Sequence, residues 1–236
     1  MTLTLSLLAG IAIAWVLVAV ADRIRFGLGS SQSLLYVPFK LAYRIDDSRI
    51  RIARQAQAPV IYAIVHQSRL EPALMLSLLP GDTLHILDEA SARSHWLEPW
   101  RELARTIAFN AKHVFVSRRL VRVLKGKGRL AVYFPDITDP DTQSFRLYRA
   151  VARIAMQADA RIVPIFVSGA KHLPVSLTQT DRAARRLFPR LSINVLKPMT
   201  IAELTAASDE PAASSRNVLF DRITETRISA FEKDTA

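Results

Sequence analysis

His66 and Glu71 are the residues of this sequence whose types and spacing best suit acid–base chemistry, and both lie in the segment HQSRLE. The apolar run 60–65, rich in β-branched residues, predicts a buried strand of parallel type that ends at His66. The apolar segment 73–79 predicts a helix, so HQSRLE occupies a strand-to-helix turn, where open α/β sheets bind ligands. Because a histidine hydrogen-bonded to a carboxylate is an oriented base, the pair predicts general base chemistry.

Pro72 decides how we expect Glu71 to be placed. Proline suits the first helical position and disfavours helical backbone in the residue before it, so Glu71 is the predicted N-cap of the next helix. From there its carboxylate would reach back toward His66. The alternative is that Ser68 and Glu71 form an ordinary capping box and that His66 is a satisfied polar residue at a strand end.

A second group of polar residues follows the segment 113–116, which we predict to be a strand. Ser117, Arg118 and Arg119 would then begin a helix that ends near Gly126, a natural C-terminal cap. Two arginines in a first helical turn oppose the helix dipole, and a bound phosphate would relieve that mismatch. A solvated charged turn is the alternative.

A third group follows the predicted buried strand 130–134, in a turn that contains Asp136 and Thr138. The helix after this turn carries arginines at spacings of three and four, which places them on one face: Arg146, Arg149 and Arg153. The remaining segments are predicted as strands at 84–87, 162–167 and 191–196, an edge strand at 49–54, and helices at 96–108 and 214–231.

Strands that alternate with helices at these intervals predict an α/β fold. We expect a single domain with a central, mostly parallel or mixed sheet flanked by helices, preceded by an N-terminal membrane helix. In this division, residues 1–25 are a membrane anchor, 26–48 an interfacial helix or linker, and 49–236 the α/β domain.

The predicted anchor contains the uncharged run 3–21, close to the roughly 20 residues that cross a bilayer as a helix. A cleaved signal peptide is the competing interpretation, although no basic residue precedes the apolar run. The basic residues that follow place the domain in the cytoplasm by the positive-inside rule: Arg23, Arg25, Lys40 and Arg44. The segment 33–43 is either interfacial or an ordinary part of the core.

The composition limits the partners that this chain can have. Its 236 residues, half of them apolar, suffice for a full core, and its formal charge of +11 indicates anionic partners such as membrane lipids. We expect no nucleic acid, because neither a recognition-helix motif nor interleaved aromatic and basic residues are present. With no cysteine and five histidines without ligand spacing, we expect no metal and no cofactor.

Four segments, in their order along the chain, resemble the motifs of the glycerolipid acyltransferases, which include 1-acylglycerol-phosphate and lysophospholipid acyltransferases: 66–71, 115–118, 134–138 and 163–164. The segment 186–198 resembles most the acyltransferase half of bacterial 2-acylglycerophosphoethanolamine acyltransferase. The resemblance implies that His66 is the general base, that Glu71 orients it, and that Arg118 binds the acceptor phosphate. It also makes Asp136 the acid of the third motif and adds Arg119 and Thr138 to the substrate-binding set.

The sequence departs from the family's motifs at three places. Glu71 and Ser117 each stand where the family has aspartate, and Asp136-Ile137 replaces Glu-Gly, with no arginine beside Thr138. A glycine would allow a tight turn that isoleucine, with its branched Cβ, resists. Arg146 or Arg149 would supply the missing positive charge.

The resemblance thus implies a membrane-associated acyltransferase that moves a fatty acyl group from an acyl thioester to a hydroxyl of a lysophospholipid or glycerol-phosphate acceptor. The donor would be acyl-ACP (acyl carrier protein) or acyl-CoA, and basic surface near Arg118 would receive an acidic carrier protein. We expect the protein at the bacterial inner membrane with its catalytic domain facing the cytoplasm. The alternative is a catalytically degenerate relative that binds lipid or acyl carrier protein.

Overall fold

The computed structural model describes residues 2–109, 114–135, 142–177, 185–206, 219–221 and 223–224. The strands of this part of the chain are β1 Val60–His66, β2 Thr83–Asp88, β3 Arg105–Phe109, β4 Arg129–Pro135, β5 Arg161–Ser168 and β6 Ser192–Val195. They form one sheet in the order β3-β2-β4-β1-β5-β6. The first five strands are parallel and β6 is antiparallel to β5, which confirms the predicted α/β domain with a mixed sheet.

Helices precede β1 as a group and then alternate with the strands. They are α1 Thr2–Phe26, α2 Ser30–Tyr43, α3 Ile50–Gln55, α4 Glu71–Leu78, α5 Glu89–Ala92, α6 Glu98–Arg101, α7 Val114–Lys125, α8 Thr142–Ala158 and α9 Ile201–Ala206. Short 3₁₀ turns lie at His95–Leu97 and Ala170–His172.

The central strand β1 is buried on both faces, as a strand covered by helices on each side must be. Tyr62 and Ile64 point into one apolar core with α3 and α4, while Ile61, Ala63 and Val65 point into a second core with α7 and α8. The sheet therefore separates a layer that contains α4 from a layer that contains α7 and α8.

A topological switch point lies between β1 and β4. The chain leaves β1 into α4 on one face of the sheet, and it leaves the neighbouring β4 into α8 on the other face. Connections that diverge to opposite faces leave a crevice at the carboxyl ends of the strands, where ligands bind in α/β folds. His66 pairs with Pro135 at this crevice.

The edge strand predicted at 49–54 is wrong, because residues 50–54 belong to the helix α3, which Arg49 precedes as its N-cap. The alternation of arginine and apolar residues fits a strand, but Ile50 and Ala53, three residues apart, also share a helical face. Both are fully buried in the core on the α4 side. Burial of this pair decided between two patterns that the sequence permits equally.

The helix predicted at 96–108 is also wrong. A 3₁₀ turn and the short α6 end at Arg101, and β3 follows at Arg105–Phe109, paired with β2. Trp100 packs partly buried with its ring 5.2 Å from that of Phe39, whereas Trp96 is 41% exposed. Pairing with β2, a contact distant in sequence, makes this segment a strand.

The strand predicted at 113–116 is wrong for its described residues, because α7 already begins at Val114; His113 lies outside the described part of the chain. Arg118 and Arg119 are therefore beyond the first helical turn, and the predicted conflict with the helix dipole does not arise there. Gly126 ends the helix, but the left-handed residue of the cap is Lys127. The Gly128 N–H donates to the Val123 carbonyl at 3.0 Å and the Lys127 N–H to that of Leu124 at 2.8 Å, a Schellman arrangement.

The predicted membrane anchor forms α1, which packs against α2. Asp22, Arg23 and Arg25 lie in its last turns, and Ala19, Asp22 and Phe26 are buried. Across the residues that the structure describes, no helix combines the length and the apolar character that crossing a membrane requires. The predicted N-terminal membrane helix is thus not found.

The segment 33–43 lies within α2, which contains Pro38 in its interior. The helix α2 contacts both α1 and α4, and four of its side chains are buried: Gln32, Ser33, Tyr36 and Val37. Most of the predicted helix 214–231 lies outside the described residues; of those described, 219–221 and 223–224 are helical, and Leu219 and Ile223 join the core on the α8 side.

Candidate functional site

His66 ends β1 at the crevice, and its imidazole is held from the neighbouring strand. Its Nδ1 lies 3.0 Å from the carbonyl oxygen of Phe134 in β4. Because a carbonyl oxygen only accepts, Nδ1 is the nitrogen that carries the proton in this contact. In the neutral ring the lone pair then resides on Nε2, which is the atom suited to accept a proton from a substrate hydroxyl.

Glu71 is completely buried and acts on the main chain of the turn that follows His66. Its carboxylate accepts hydrogen bonds from the backbone N–H of Gln67 at 2.9 Å, from the backbone N–H of Ser68, and from the Ser68 hydroxyl at 2.9 Å. The bond to the Ser68 N–H is the one that a capping-box glutamate makes. The predicted N-cap position is wrong, because Leu70 precedes the helix and Glu71 is its first residue.

The charge state of Glu71 is set by two opposing effects. Burial raises the pKa of Glu71 to about 8, although the N–H groups of Gln67 and Ser68 and the Ser68 hydroxyl favour the carboxylate. A direct orienting contact from Glu71 to His66 stays a prediction. The described contacts place Glu71 instead as the residue that shapes the turn behind the imidazole.

The segment after β5 fixes the other side of the same turn. The backbone N–H of Arg69 donates to the Val175 carbonyl at 3.2 Å, and that of Leu177 donates to the Gln67 carbonyl at 2.7 Å. The turn is thus held from inside by Glu71 and from outside by main-chain pairing. The side chains of Val175 and Leu177 are exposed and apolar beside it.

Tyr133 and His85 form a buried polar pair beneath the imidazole that the sequence interpretation missed. The Tyr133 ring meets the His66 ring edge-on, with centroids 6.1 Å apart, and His85 Nδ1 lies 2.9 Å from the Tyr133 hydroxyl. Burial lowers the pKa of His85 to about 3, so this ring is neutral. Burial and then the nearby Glu71 charge raise the pKa of Tyr133. Tyr133 lies two residues after Ala131 in a predicted strand, so the two side chains share one face of the sheet. This spacing was the signal from which the burial of Tyr133 could have been predicted.

The predicted phosphate-binding arginines all project from the helical layer opposite α4. Arg118 and Arg119 are exposed in the second turn of α7, and Arg146 and Arg149 are exposed in α8. The helices α7 and α8 pack against each other, so the structure brings these four side chains onto neighbouring helices.

Asp136 and Thr138 lie outside the described residues. The preceding residue, Pro135, pairs with His66 at the carboxyl edge of the sheet. Searched over its described parts, the chain holds no group of three or more His, Cys, Asp or Glu side chains that would bind a metal ion.

Comparison with known proteins gives two results. The family model described as Acyltransferase matches residues 47–168, a stretch that includes His66, Glu71, Arg118 and all four segments of the resemblance. The chain is also similar to the crystal structure of PlsC, the 1-acyl-sn-glycerophosphate (LPA) acyltransferase from Thermotoga maritima. The two are 13% identical over 95% of this chain and 94% of that chain, with a TM-score of 0.49.

Proposed function

Since this chain belongs to the Acyltransferase family, we propose that it transfers a fatty acyl group from an acyl thioester to the hydroxyl of a lysophospholipid or glycerol-phosphate acceptor. The family match also confirms the prediction of an O-acyltransferase. The observation that carries the proposal further is the position of His66 at the switch-point crevice, with Nδ1 held by the Phe134 carbonyl.

In the proposed reaction, His66 Nε2 takes the proton of the acceptor hydroxyl as its oxygen attacks the thioester carbonyl. The tetrahedral intermediate collapses by breaking the carbon–sulfur bond, and the departing thiolate recovers the proton from the imidazolium. The acyl ester and the free thiol are the products. The Phe134 carbonyl keeps the ring in one orientation throughout, because its bond to Nδ1–H is present in both protonation states.

The acceptor's phosphate calls for cations near the carboxyl edge of the sheet. Arg118, carried over from the family motif, is the first candidate, with Arg119, Arg146 and Arg149 on the same helical layer. Asp136 and Thr138 would complete the site on the chain that continues from Pro135. Guanidinium groups suit this task because their planar donors match phosphate geometry.

We also place the protein on a membrane surface, where its acceptor resides. The support is the apolar exposure of α1, in which Leu17 is 64% and Ile24 is 80% exposed, together with Leu34 and Leu41 of α2. Arg23, Arg25 and Arg44 flank these residues and suit the anionic lipids of the cytoplasmic leaflet. The inner membrane of a bacterium, with the domain on its cytoplasmic side, is the proposed location.

The function is tested by incubating the purified protein with a labelled acyl thioester and a panel of lysophospholipids. The products are separated by mass spectrometry, and the His66→Ala protein serves as the blank. Acyl transfer to one acceptor class that the variant lacks supports the proposal. Binding of lipid or carrier protein with no transfer by the unsubstituted protein would instead identify a catalytically degenerate relative.

A further inference from the structure

The segment after β5 presents two exposed apolar side chains beside the turn that follows His66. Val175 is 46% exposed and Leu177 is 49% exposed. A single exposed apolar residue is ordinary on a protein surface, whereas a group of them beside a reactive side chain is typical of a ligand site. We call the surface made by Val175 and Leu177 the apolar pair.

The backbone that carries the apolar pair is held in place by core packing and by main-chain pairing. Leu173, which precedes it, is completely buried on the α4 side of the sheet, and the Leu173 carbonyl accepts from the Ser176 N–H at 3.1 Å. Residues 175–177 then run antiparallel to 67–69, with Ser176 paired to Ser68. The exposure of the two apolar side chains is therefore a fixed feature of the fold.

The same pairing brings the apolar pair close to the imidazole. Leu177 lies opposite Gln67, and its N–H donates to the Gln67 carbonyl at 2.7 Å. Residues opposite each other in an antiparallel pair have Cα atoms about 5.5 Å apart, and His66 directly precedes Gln67. The Cα atom of Leu177 is therefore within roughly 9 Å of that of His66. A chain that leaves the crevice on this side of β1 runs over the apolar pair.

A cation adjoins the apolar pair on the same face. Arg69 lies opposite Val175, and its N–H donates to the Val175 carbonyl at 3.2 Å. Because residues directly opposite each other in paired strands project to the same face, the exposed Arg69 and Val175 side chains are neighbours. A cation beside apolar groups suits an amphiphile that has an anionic group next to one hydrocarbon chain.

Further exposed apolar residues connect the apolar pair to α2. The Arg186 N–H donates to the His172 carbonyl at 2.8 Å, which places the next two residues, Leu187 and Phe188, beside the segment that carries the pair; both are exposed. The Phe188 ring lies 6.0 Å from that of Tyr43, the last residue of α2. An apolar surface thus extends from α2, where we place the membrane, toward the apolar pair.

We propose that the apolar pair binds the acyl chain that the acceptor already carries, and so selects a lysophospholipid as the acceptor. The proposal rests on the proposed function and decides between its two acceptor classes, because glycerol phosphate has no chain to bind. The apolar pair holds the chain, Arg69 faces the anionic group, and the free hydroxyl is left at Nε2 of His66.

The bilayer itself is the rival occupant of this surface. A pair that binds the acceptor's chain affects transfer to acceptor molecules dissolved one by one, whereas a pair that contacts the bilayer affects attachment to vesicles. The position of Leu177, paired to the residue that follows His66 instead of lying on α1 or α2, favours the acceptor.

The test uses hexanoyl, octanoyl and decanoyl lysophospholipids of one headgroup, at concentrations where they are monomeric and with no vesicles present. The same acyl thioester serves as donor throughout. The variant combines Val175→Ser and Leu177→Ser. The matched control combines Leu17→Ser and Ile24→Ser, two exposed aliphatic residues of α1. Melting curves establish that both proteins are folded.

For the unsubstituted protein, we expect kcat/KM to rise about twofold with each added methylene, since full burial corresponds to about fourfold and this surface is open on one side. The rise should fall below about 1.3-fold per methylene in the variant and stay about twofold in the control. A merely structural defect lowers transfer to all acceptors alike and leaves the rise unchanged. The proposal is overturned if the unsubstituted protein shows no rise, if the variant keeps it, or if the control loses it.

Two further measurements separate this proposal from the membrane and from the proposed function. Weaker co-sedimentation of the variant with anionic vesicles, at an unchanged dependence on chain length, would assign the pair to the membrane and overturn the proposal. If no acceptor supports transfer, the proposed function fails, and calorimetric titration with the same lysophospholipids decides the chain site. Affinity that rises with chain length in the unsubstituted protein and not in the variant supports the site, whereas the same dependence in both, or none, overturns it.

Discussion

At the scale of single residues, the His66 ring is held in one orientation, and the ring nitrogen that carries its proton is known. The Phe134 carbonyl accepts from Nδ1 at 3.0 Å, so the proton-accepting atom of the proposed reaction is Nε2. Orientation by a main-chain carbonyl needs no acidic partner in direct contact with the ring. On the proposed mechanism, His66 can therefore act as the base whether or not Glu71 contacts the imidazole.

Replacing His66 by alanine should lower acyl transfer by about two to four powers of ten, the usual contribution of a positioned general base. Initial rates with saturating donor and acceptor measure the effect. His95→Ala is the matched control, because His95 is exposed on a different part of the surface. Transfer at the unsubstituted rate in the His66→Ala protein would disprove the mechanism.

We expect the ring of Tyr133 to affect the rate of acyl transfer and its hydroxyl to affect the stability of the fold. Tyr133→Phe keeps the edge-on contact with His66 but leaves His85 without its partner, which should cost about 1–3 kcal/mol of unfolding free energy with little change in kcat. Tyr133→Ala removes the ring, and kcat should fall about tenfold or more at unchanged KM. Equal kcat in the two variants would remove Tyr133 from the positioning of His66.

Glu71 should make stability depend on pH in a defined direction. Burial raises its folded-state pKa to about 8, above the value in the unfolded chain, so protonation favours folding. Its contribution is complete below the unfolded pKa and is lost as the pH rises through about 8. The unfolding free energy of the unsubstituted protein, relative to that of Glu71→Gln, should thus decrease between about pH 5 and pH 9 by on the order of a few kcal/mol.

Urea unfolding of both proteins at several pH values measures this difference, and a constant difference would contradict it. Activity provides a second readout for the same residue. Glu71→Asp keeps a carboxylate and should retain transfer within about one power of ten if the shorter side chain still reaches the N–H groups of Gln67 and Ser68. The pH dependence of kcat/KM for Glu71→Gln tests whether Glu71 also tunes His66.

At the scale of elements, α1 and α2 each have one side that packs against the rest of the protein and one side that is exposed. Trp15 donates from its indole to the Leu34 carbonyl at 3.0 Å and so joins the two helices, while neighbouring apolar residues of α1 stay exposed. An apolar helix surface of this kind, next to basic residues, is typical of attachment to a membrane surface.

Introducing a charge into this surface should weaken membrane attachment without unfolding the domain. Ile13→Asp combined with Leu17→Asp places two carboxylates among exposed apolar residues, and co-sedimentation with anionic vesicles should fall about tenfold. Met156→Asp, on the opposite layer, is the control and should bind vesicles normally. Unchanged sedimentation of the α1 variant would show that α1 is not the attachment surface.

At the scale of the whole molecule, Lys40 connects the N-terminal helices to the domain. Its ammonium lies 2.9 Å from Asp47, before α3, and also contacts Asp22 in α1, and both carboxylates are almost completely buried. The Tyr36 hydroxyl donates to Asp47 at 2.7 Å. The α1–α2 unit is thus held to the domain by a buried ionic contact in addition to apolar packing.

Lys40→Ala should lower the unfolding free energy by about 3–5 kcal/mol, because it removes the cation shared by two buried carboxylates and leaves Asp47 only its longer 3.9 Å ion pair with Arg25. Thermal and urea unfolding measure the loss. Glu98→Ala is the control, since its contact with Arg101 is long and exposed and should contribute less than about 1 kcal/mol. A loss in Lys40→Ala no larger than in the control would contradict the role of this contact.

The local pattern of the sequence was enough to determine the strand that ends at His66, the helix after it, and the strands β2, β4, β5 and β6. Each of these segments is a short apolar run that either has a clear hydrophobic periodicity or is bounded by polar or turn residues. Its secondary structure therefore follows from its own residues. The arginine stripe of α8 was predictable for the same reason. Family motifs added the chemical roles.

Only the tertiary structure decided the segments whose patterns fit two structures. Burial of Ile50 and Ala53 made 50–55 a helix, and pairing with β2 made 105–109 a strand. The same holds for the site, because the carbonyl that orients His66 belongs to Phe134, 68 residues away in sequence. Such partners are chosen when strands distant in the chain become neighbours in the sheet, and no local pattern records that choice.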